Sequence, residues 1–367
     1  MKDGHVLHVQ KVAGISGSEA HLLQLLPDLR ARGWDARFLM LHEDEPGAWE
    51  FAHELEERGV PLDAVRLRAD VDPLAFGEVA AHLSRRQPRI LHTHLVHADV
   101  YGQLAGTMTR VPLRLSTKHG FNEFREGRFF GLADRTVGSL AHVHIAISQG
   151  LAHYLAETEG FDEERFVVVH YGISARDGAS PYSGTEPRLL CVGRLIPIKG
   201  HLVLLRALAR ARLRVPGLML DIAGRGPLES SLKAFARELG IEDAVRFLGF
   251  VAPVERAIED AAIIVVPSLG EGFGMVALEA MERARPVIAS AVGGLPEIVA
   301  DGETGVVVPP ADADALAEAM VVLAGDLERS AAMGLTGRKR ALAEFTPERS
   351  AERIEELYRD GAGAGGR

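Results

Sequence analysis

Cysteine is almost missing from this 367-residue chain. Cys191 alone occurs, inside the apolar run Leu189-Leu190-Cys191-Val192, so no internal disulfide can form and the thiol reads as a small core hydrophobe. No apolar run approaches the roughly 20 residues that a bilayer-spanning helix needs. Met1-Lys2-Asp3-Gly4-His5 leads straight into a strand and lacks the features of a signal peptide, so the expected compartment is the cytoplasm. An excess of positive charge is missing too. The net charge of −10 argues against a general nucleic-acid binder, while leaving room for a local basic patch that touches anionic lipid. Lysine is scarce: only Lys2, Lys11, Lys118, Lys199, Lys233 and Lys339 occur, so a lysine in a glycine-flanked loop carries weight.

What is present is an alternation of short apolar strands and amphipathic helices, which predicts parallel sheets with helices on both faces. In the first half, strands are expected near Val6–Val9, Ala36–Leu41, Ile90–His92, Arg114–Thr117, Val143–Ile147 and Val167–His170. Residues 174–187 are rich in Ser, Gly, Pro and Asp, have no periodicity and read as a linker. A second series follows, with strands at Arg188–Val192, Leu218–Ala223, Val245–Leu248, Ile263–Val266, Val287–Ala289 and Gly305–Val308. The fold class is α/β, with two doubly wound Rossmann-like domains, 1–175 and 186–346, facing one another across a cleft. Ligand sites are expected at the carboxyl ends of their strands. A final helix, Pro347–Arg359, follows the second domain, and the tail Gly361–Arg367 is expected to be disordered.

The stretch Pro267–Glu279 says most about chemistry. Strand Ile263–Val266 enters a glycine-rich loop holding Glu271, and a helix opens near Gly274 and carries Glu279. Loop and helix start offer backbone N–H groups and a positive dipole end, which suit a phosphate. Carboxylates repel phosphate, so the flanking acids are there to accept hydrogen bonds from hydroxyls. A phosphate between two hydroxyl-binding acids describes a nucleotide-sugar. A glycosidase acid and nucleophile would need both carboxyls aimed at one anomeric carbon, which a loop acid and a helix acid fit poorly. In Gly193–Gly200, Arg194 and Lys199 are placed to converge on a phosphate from one loop. In the first domain, the loop Ala13–Glu19 can bring Gly17 close to a diphosphate; it reads equally as a tight turn capped by Ser18.

His92 and His94, with His97 and Asp99, have a spacing that can ligate zinc and open an alternative, a metal-dependent hydrolase. Val96 stands where the acid of an H-x-H-x-D-H run belongs, which weakens that reading. His119, at the next strand end, is the better candidate for contact with substrate. Asp312-Ala313-Asp314 formally matches a D-x-D metal–diphosphate motif, but it opens a helix, and capping explains it.

These elements, in this order, resemble family 4 of the retaining glycosyltransferases, which have the GT-B fold. Glu271-Gly272-Phe273-Gly274 continuing to Glu279 is similar to the family's E-x7-E motif. Val192-Gly193-Arg194 with Lys199-Gly200, Ile222–Pro227, Val245–Gly249, Gly293–Val299 and Asp301–Gly305 support it in register. The resemblance implies that Arg194 and Lys199 hold the donor diphosphate and stabilise its charge as it leaves. It places Glu271 on a donor-sugar hydroxyl, the backbone amides of Phe273, Gly274 and Met275 on sugar and phosphate, and Glu279 on the ribose. Gly17 would approach the diphosphate, His119 would lie beside the donor sugar, and the terminal helix would cross back onto the first domain. No metal or other cofactor is implied.

Two departures stand out: Ser16 where many relatives have glycine, and Tyr171 where asparagine is common. Tyr171 falls near the hinge, with little effect on chemistry expected. Phe250-Val251-Ala252-Pro253 offers no acid to the amino group of guanine, which favours a uridine donor with Val251 among the donor-binding positions. The expected acceptor is a glycan, a lipid-linked molecule or a small molecule. Phe121–Leu132, mixing aromatics with Arg125 and Arg128, is expected to shape an acceptor pocket or touch a membrane surface. A non-catalytic nucleotide-sugar binder is the further alternative, opposed by the co-occurrence of Arg194, Lys199, Glu271 and Glu279.

Overall fold

The computed structural model describes residues 4–120, 136–159 and 163–364. The expected acceptor segment Phe121–Leu132 lies outside them. The chain divides into unit 1, Met1–Gly172 with Pro347–Arg367, and unit 2, Ile173–Thr346. The expected linker therefore falls inside unit 2. Each unit is built on a parallel sheet.

In unit 1 the strands are β1 (His5–Lys11), β2 (Asp35–His42), β3 (Leu62–Arg66), β4 (Ile90–His94), β5 (Leu113–Lys118), β6 (Val143–Ala146) and β7 (Phe166–Val168). Their spatial order is β3-β2-β1-β4-β5-β6-β7. The winding direction reverses between β1 and β4, where His8 lies in register with His92 and Gln10 with His94. Alternation along β1 sends Val6 into one core and Leu7 and Val9 into the other, as a sheet covered on both faces requires.

The helix Gly17–Ala31 follows β1 and presents Leu22, Leu25, Leu26 and Leu29, none more than 1% exposed, at helical spacing. Burial of each contributes about 1.5–3 kcal/mol, and truncating Leu26 to alanine would cost about 2–5 kcal/mol through the cavity left behind. Against the same core lies the terminal helix Pro347–Ala364, through Ala351, Ile354, Leu357 and Tyr358. Trp34 Nε1 donates to Glu355 Oε1 at 3.1 Å and fixes that helix in place. The helix continues past Gly361, so the expected disordered tail is helical as far as Ala364. Tyr358 anchors the preceding turns in the core, and nothing in Gly361-Ala362-Gly363-Ala364 forces a stop.

Unit 2 holds β8 (Arg188–Val192), β9 (Met219–Ala223), β10 (Val245–Gly249), β11 (Ile263–Val266), β12 (Val287–Ser290) and β13 (Gly305–Val308), ordered β10-β9-β8-β11-β12-β13. Here the reversal lies between β8 and β11, the position at which open α/β sheets bind ligands. Among the described residues no helix is long and apolar enough to cross a membrane.

Sequence periodicity misses the helical run Leu95–Met108, with its π turn Asp99–Gln103, and the long helix Leu327–Glu344. Both contain glycines used for close packing. A Cβ on Gly102 would fall 2.5 Å from Thr93 Cγ2, and one on Gly334 would fall 2.2 Å from the Ala284 carbonyl oxygen. Such glycines lower helix propensity locally, and the tertiary contact outweighs that loss. Strand β3 is missed because it is an edge strand and half-exposed.

Candidate active site

The carboxyl ends of the unit 2 strands are joined backbone to backbone. After β8, the turn Pro197–Lys199 ends at Gly200, whose φ is +70° and whose Cβ, were there one, would meet the Pro267 carbonyl oxygen at 1.9 Å. After β9, Gly224, with φ +148°, would place a Cβ 1.8 Å from the Gly193 carbonyl oxygen. Only glycine combines that conformation with that approach. Hydrogen bonds complete the lacing: Gly193 N donates to Ala223 O at 2.9 Å, Leu195 N to Arg225 O at 2.9 Å and Leu269 N to Ile198 O at 2.7 Å.

This frame brings two of the expected residues together at the point of reversal. Lys199 Nζ, from the loop after β8, donates to Glu271 Oε2, from the loop after β11, at 2.7 Å. Ser268 Oγ donates to the same oxygen at 3.1 Å. The Lys199 and Glu271 side chains are 24% and 16% exposed, so the pair is shielded yet reachable from solvent. Arg194, on the same loop, is exposed and makes no ion pair among the described residues.

The expected helix start is observed. Gly274 caps the helix Met275–Glu282 with φ +113°, so its first-turn N–H groups receive no side-chain cap. Phe273 is buried against Phe345, edge to face at 6.0 Å. Met275 is half-buried, as is Glu279 one turn further along. Burial pushes the Glu279 carboxyl up to about 7, with Arg176 opposing the shift. At neutral pH this group can both donate and accept. Val251 is half-buried beyond Gly249, whose φ is +69°.

In unit 1, Gly17 is the first residue of its helix, but the N-cap is Ser16 and not Ser18. Glu19 reaches back to accept from the Ser16 backbone N–H at 3.1 Å and from the Ser16 hydroxyl, closing a capping box. Ser18 instead accepts from Gln10 Nε2 at 3.3 Å. A buried carboxylate thus stands at the helix start where Gly17 is expected to meet a diphosphate, and it opposes a phosphate there electrostatically.

The metal trio His92, His94 and His97 is not assembled. His97 Nε2 lies 3.5 Å from Asp70, and Asp99 is the buried counter-ion of Lys118 at 2.7 Å, also bonded by the Thr93 and Ser116 hydroxyls. Strand alternation explains the split: Thr93, Ser116 and Lys118 face one side of the sheet, while His92, His94 and Thr117 face the other. On that other side His8 joins instead, with ligand atoms of His8, His92 and His94 within 4.8 Å of one another. Both ring nitrogens of each are taken up in hydrogen bonds. His94 Nδ1 meets His119 Nε2 at 2.9 Å, and His119 Nδ1 meets the Tyr171 hydroxyl. The sequence gives no signal for His8, Tyr171 or Tyr358 in this cluster; only topology unites them. Burial holds the His92 imidazole down at about 3 and that of His119 well below its ordinary value, so these rings are neutral at neutral pH. Asp312 caps its helix as expected, accepting from Asp314 N and Ala315 N at 2.9 Å each.

Comparison with known proteins completes the picture. Residues 16–172 match the family model described as Glycosyl transferase 4-like domain, and residues 186–326 match Glycosyl transferases group 1. The D-inositol 3-phosphate glycosyltransferase of Nocardia farcinica is 33% identical over 339 residues, covering 81% of this chain and 72% of that protein. The GDP-mannose-dependent alpha-(1-6)-phosphatidylinositol monomannoside mannosyltransferase of Mycolicibacterium smegmatis is 39% identical over 183 residues, 47% of this chain. The chain spans about half (48%) of that relative's length. Among solved structures, Anabaena HepE in complex with UDP and glucose superposes with a TM-score of 0.81 at 20% identity, covering 97% of this chain and all of the other. Two parallel-sheet units, a match in each and a relative aligned across most of both chains place this protein in glycosyltransferase family 4, with the GT-B fold.

Proposed function

We propose that the chain transfers a sugar from a nucleoside diphosphate sugar to an acceptor hydroxyl with retention of configuration. The observation that carries this reading is the Lys199–Glu271 pair, held at the reversal point of unit 2 by loops that only glycine permits. A diphosphate at the helix start Gly274–Met275 would draw Lys199 from Glu271, and Arg194 would add a second cation. Glu271 would then accept from a hydroxyl of the transferred sugar and Glu279 would take the ribose. The sugar C1–O bond breaks toward the phosphate as positive charge grows on the sugar, and Lys199 and Arg194 stabilise the departing negative charge. The acceptor oxygen forms the new bond from the same face and gives its proton to the departing phosphate oxygen. No protein nucleophile enters this sequence.

The acid-free segment Phe250–Pro253 supports uridine as the base. The GDP-mannose-dependent relative supports guanosine as a second reading. The names of these relatives support an inositol phosphate or a phosphatidylinositol mannoside as the acceptor class. Lys199→Ala and Arg194→Ala should each lower kcat by about 10²–10³ with folding intact, the range for losing one preorganised charge-stabilising group. Turnover of UDP- and GDP-sugars with the purified protein tests the reading. Near-normal transfer by both variants would refute it.

A further inference from the structure

One hydrogen-bonded chain runs through the interior of unit 1. Starting at Thr117 Oγ1, it passes to His92 Nε2 at 2.6 Å, and from His92 Nδ1 to the Tyr358 hydroxyl at 2.7 Å. From that hydroxyl it reaches His8 Nε2 at 3.0 Å, and from His8 Nδ1 His94 Nε2 at 2.9 Å. His94 Nδ1 then meets His119 Nε2 at 2.9 Å, and His119 Nδ1 meets the Tyr171 hydroxyl. His8, His92, Thr117, His94, Tyr358 and Tyr171 are buried, and His119 is half-buried.

A neutral imidazole has one donor and one acceptor nitrogen, and a hydroxyl has one proton. Every link therefore fixes the next, and the chain has only two self-consistent directions. Thr117 decides between them. Thr117 is 4% exposed, and its hydroxyl has one partner among the described residues, His92 Nε2. If Thr117 accepted from His92, its own proton would be buried without an acceptor, which is strongly unfavourable. So Thr117 donates, His92 Nδ1–H donates to Tyr358, Tyr358 donates to His8, His8 to His94, and His94 to His119. His119 is left with its proton on Nδ1, the nitrogen that meets the Tyr171 hydroxyl.

We propose that Tyr358, on the terminal helix, is a positioning residue for glycosyl transfer: through His8 and His94 it fixes His119 as the Nδ1–H tautomer, a hydrogen-bond donor. This rests on the reading that His119 meets the donor sugar. It specifies that reading further: His119 offers a proton to a sugar or phosphate oxygen, and that oxygen takes the place of the Tyr171 hydroxyl on Nδ1. The Tyr171 position, where little effect on chemistry is expected from sequence, becomes the group that substrate must displace.

The test reads the His119 tautomer directly, by 15N chemical shifts of histidine-labelled full-length protein without substrate, assigned through a His119→Gln variant. The wild type should show Nδ1–H. Tyr358→Phe cuts the chain at its middle and Thr117→Val removes the hydroxyl that sets its direction, so each should move His119 toward Nε2–H. Thr117→Ser, which restores the donor, should return it to Nδ1–H. In transfer assays Tyr358→Phe should lower kcat about tenfold with the donor KM changed less than about twofold, the signature of a lost transition-state contact. Thr117→Val keeps the test alive if Tyr358→Phe does not fold. An Nε2–H wild type, or an unchanged tautomer in the folded variants, would overturn the proposal. Full transfer by His119→Gln would sink the contact between His119 and sugar and leave the tautomer result to be judged separately.

Discussion

Replacing Glu279 with glutamine is expected to make the protein more stable and a poorer enzyme, by an amount that depends on pH. In the folded protein burial raises this carboxyl from an ordinary value near 4.5 to about 7. A raised carboxyl pKa means that the unfolded chain gives up its proton first. Glu279 therefore costs nothing below about pH 4.5, and its penalty grows as pH rises toward 7, because the folded state must then hold a desolvated charge. At about 1.4 kcal/mol per unit, the full penalty above pH 7 is about 3 kcal/mol. Glutamine keeps the shape and never ionises. Glu279→Gln should thus match the wild type in melting temperature at pH 4.5. At pH 8 it should exceed the wild type by about 6–12 °C, using about 2–4 °C per kcal/mol for a domain of this size. The donor KM should rise about tenfold at pH 8, where one charge-assisted hydrogen bond to the ribose is lost. Thermal unfolding at the two pH values, with donor titration alongside, measures both effects. A stability gain equal at both pH values, or a loss at pH 8, would show that desolvation of this carboxyl is not what the fold bears there.

Gly200→Ala should unfold unit 2 at a lower temperature and abolish donor binding, since the added Cβ would meet the Pro267 carbonyl oxygen at 1.9 Å from a backbone at φ +70°; an unchanged melting curve would show the two loops to be separable. Treatment with a chelator such as EDTA should leave transfer unchanged, measured by release of nucleoside diphosphate, because Lys199 and Arg194 are assigned the charge that a divalent ion would otherwise stabilise. Thermal stabilisation by UDP against GDP separates the two donor bases. A preference for GDP of more than about tenfold, about 1.4 kcal/mol, would set aside the uridine reading drawn from Phe250–Pro253.

The sheet of unit 2 is legible because its strands are short continuous apolar runs, as Ile263–Val266 and Gly305–Val308 illustrate; three observed strands begin and end where sequence places them, and the other three differ by one residue at one end. Lys199 and Glu271 are legible for a related reason: each follows a strand directly, so its location at a carboxyl edge is read from the chain. Their pairing is not legible, since it depends on Gly200 letting two loops touch. In unit 1 the histidines at 92 and 94 are visible as a motif, but His97 turns to Asp70 and His8 takes its place. Which side of a sheet a residue faces can be counted along a strand; which strand lies next to it, and which helix closes over it, cannot. Tyr358 is the extreme case, 350 residues from the His8 ring it bonds.

That last separation sets an order of assembly. Unit 2 is one contiguous stretch, Ile173–Thr346, whereas unit 1 needs Pro347–Ala364 to cover Trp34, His8 and His92. A ribosome supplies the chain from its N-terminus at about 5–20 residues per second. The first half therefore emerges early and waits with part of one side of its sheet uncovered for about 10–40 seconds, while the second unit is made and folds. The interior histidines stay accessible through that interval. Truncation before Tyr358 would spare unit 2 and leave unit 1 permanently in the state that newly made chains pass through.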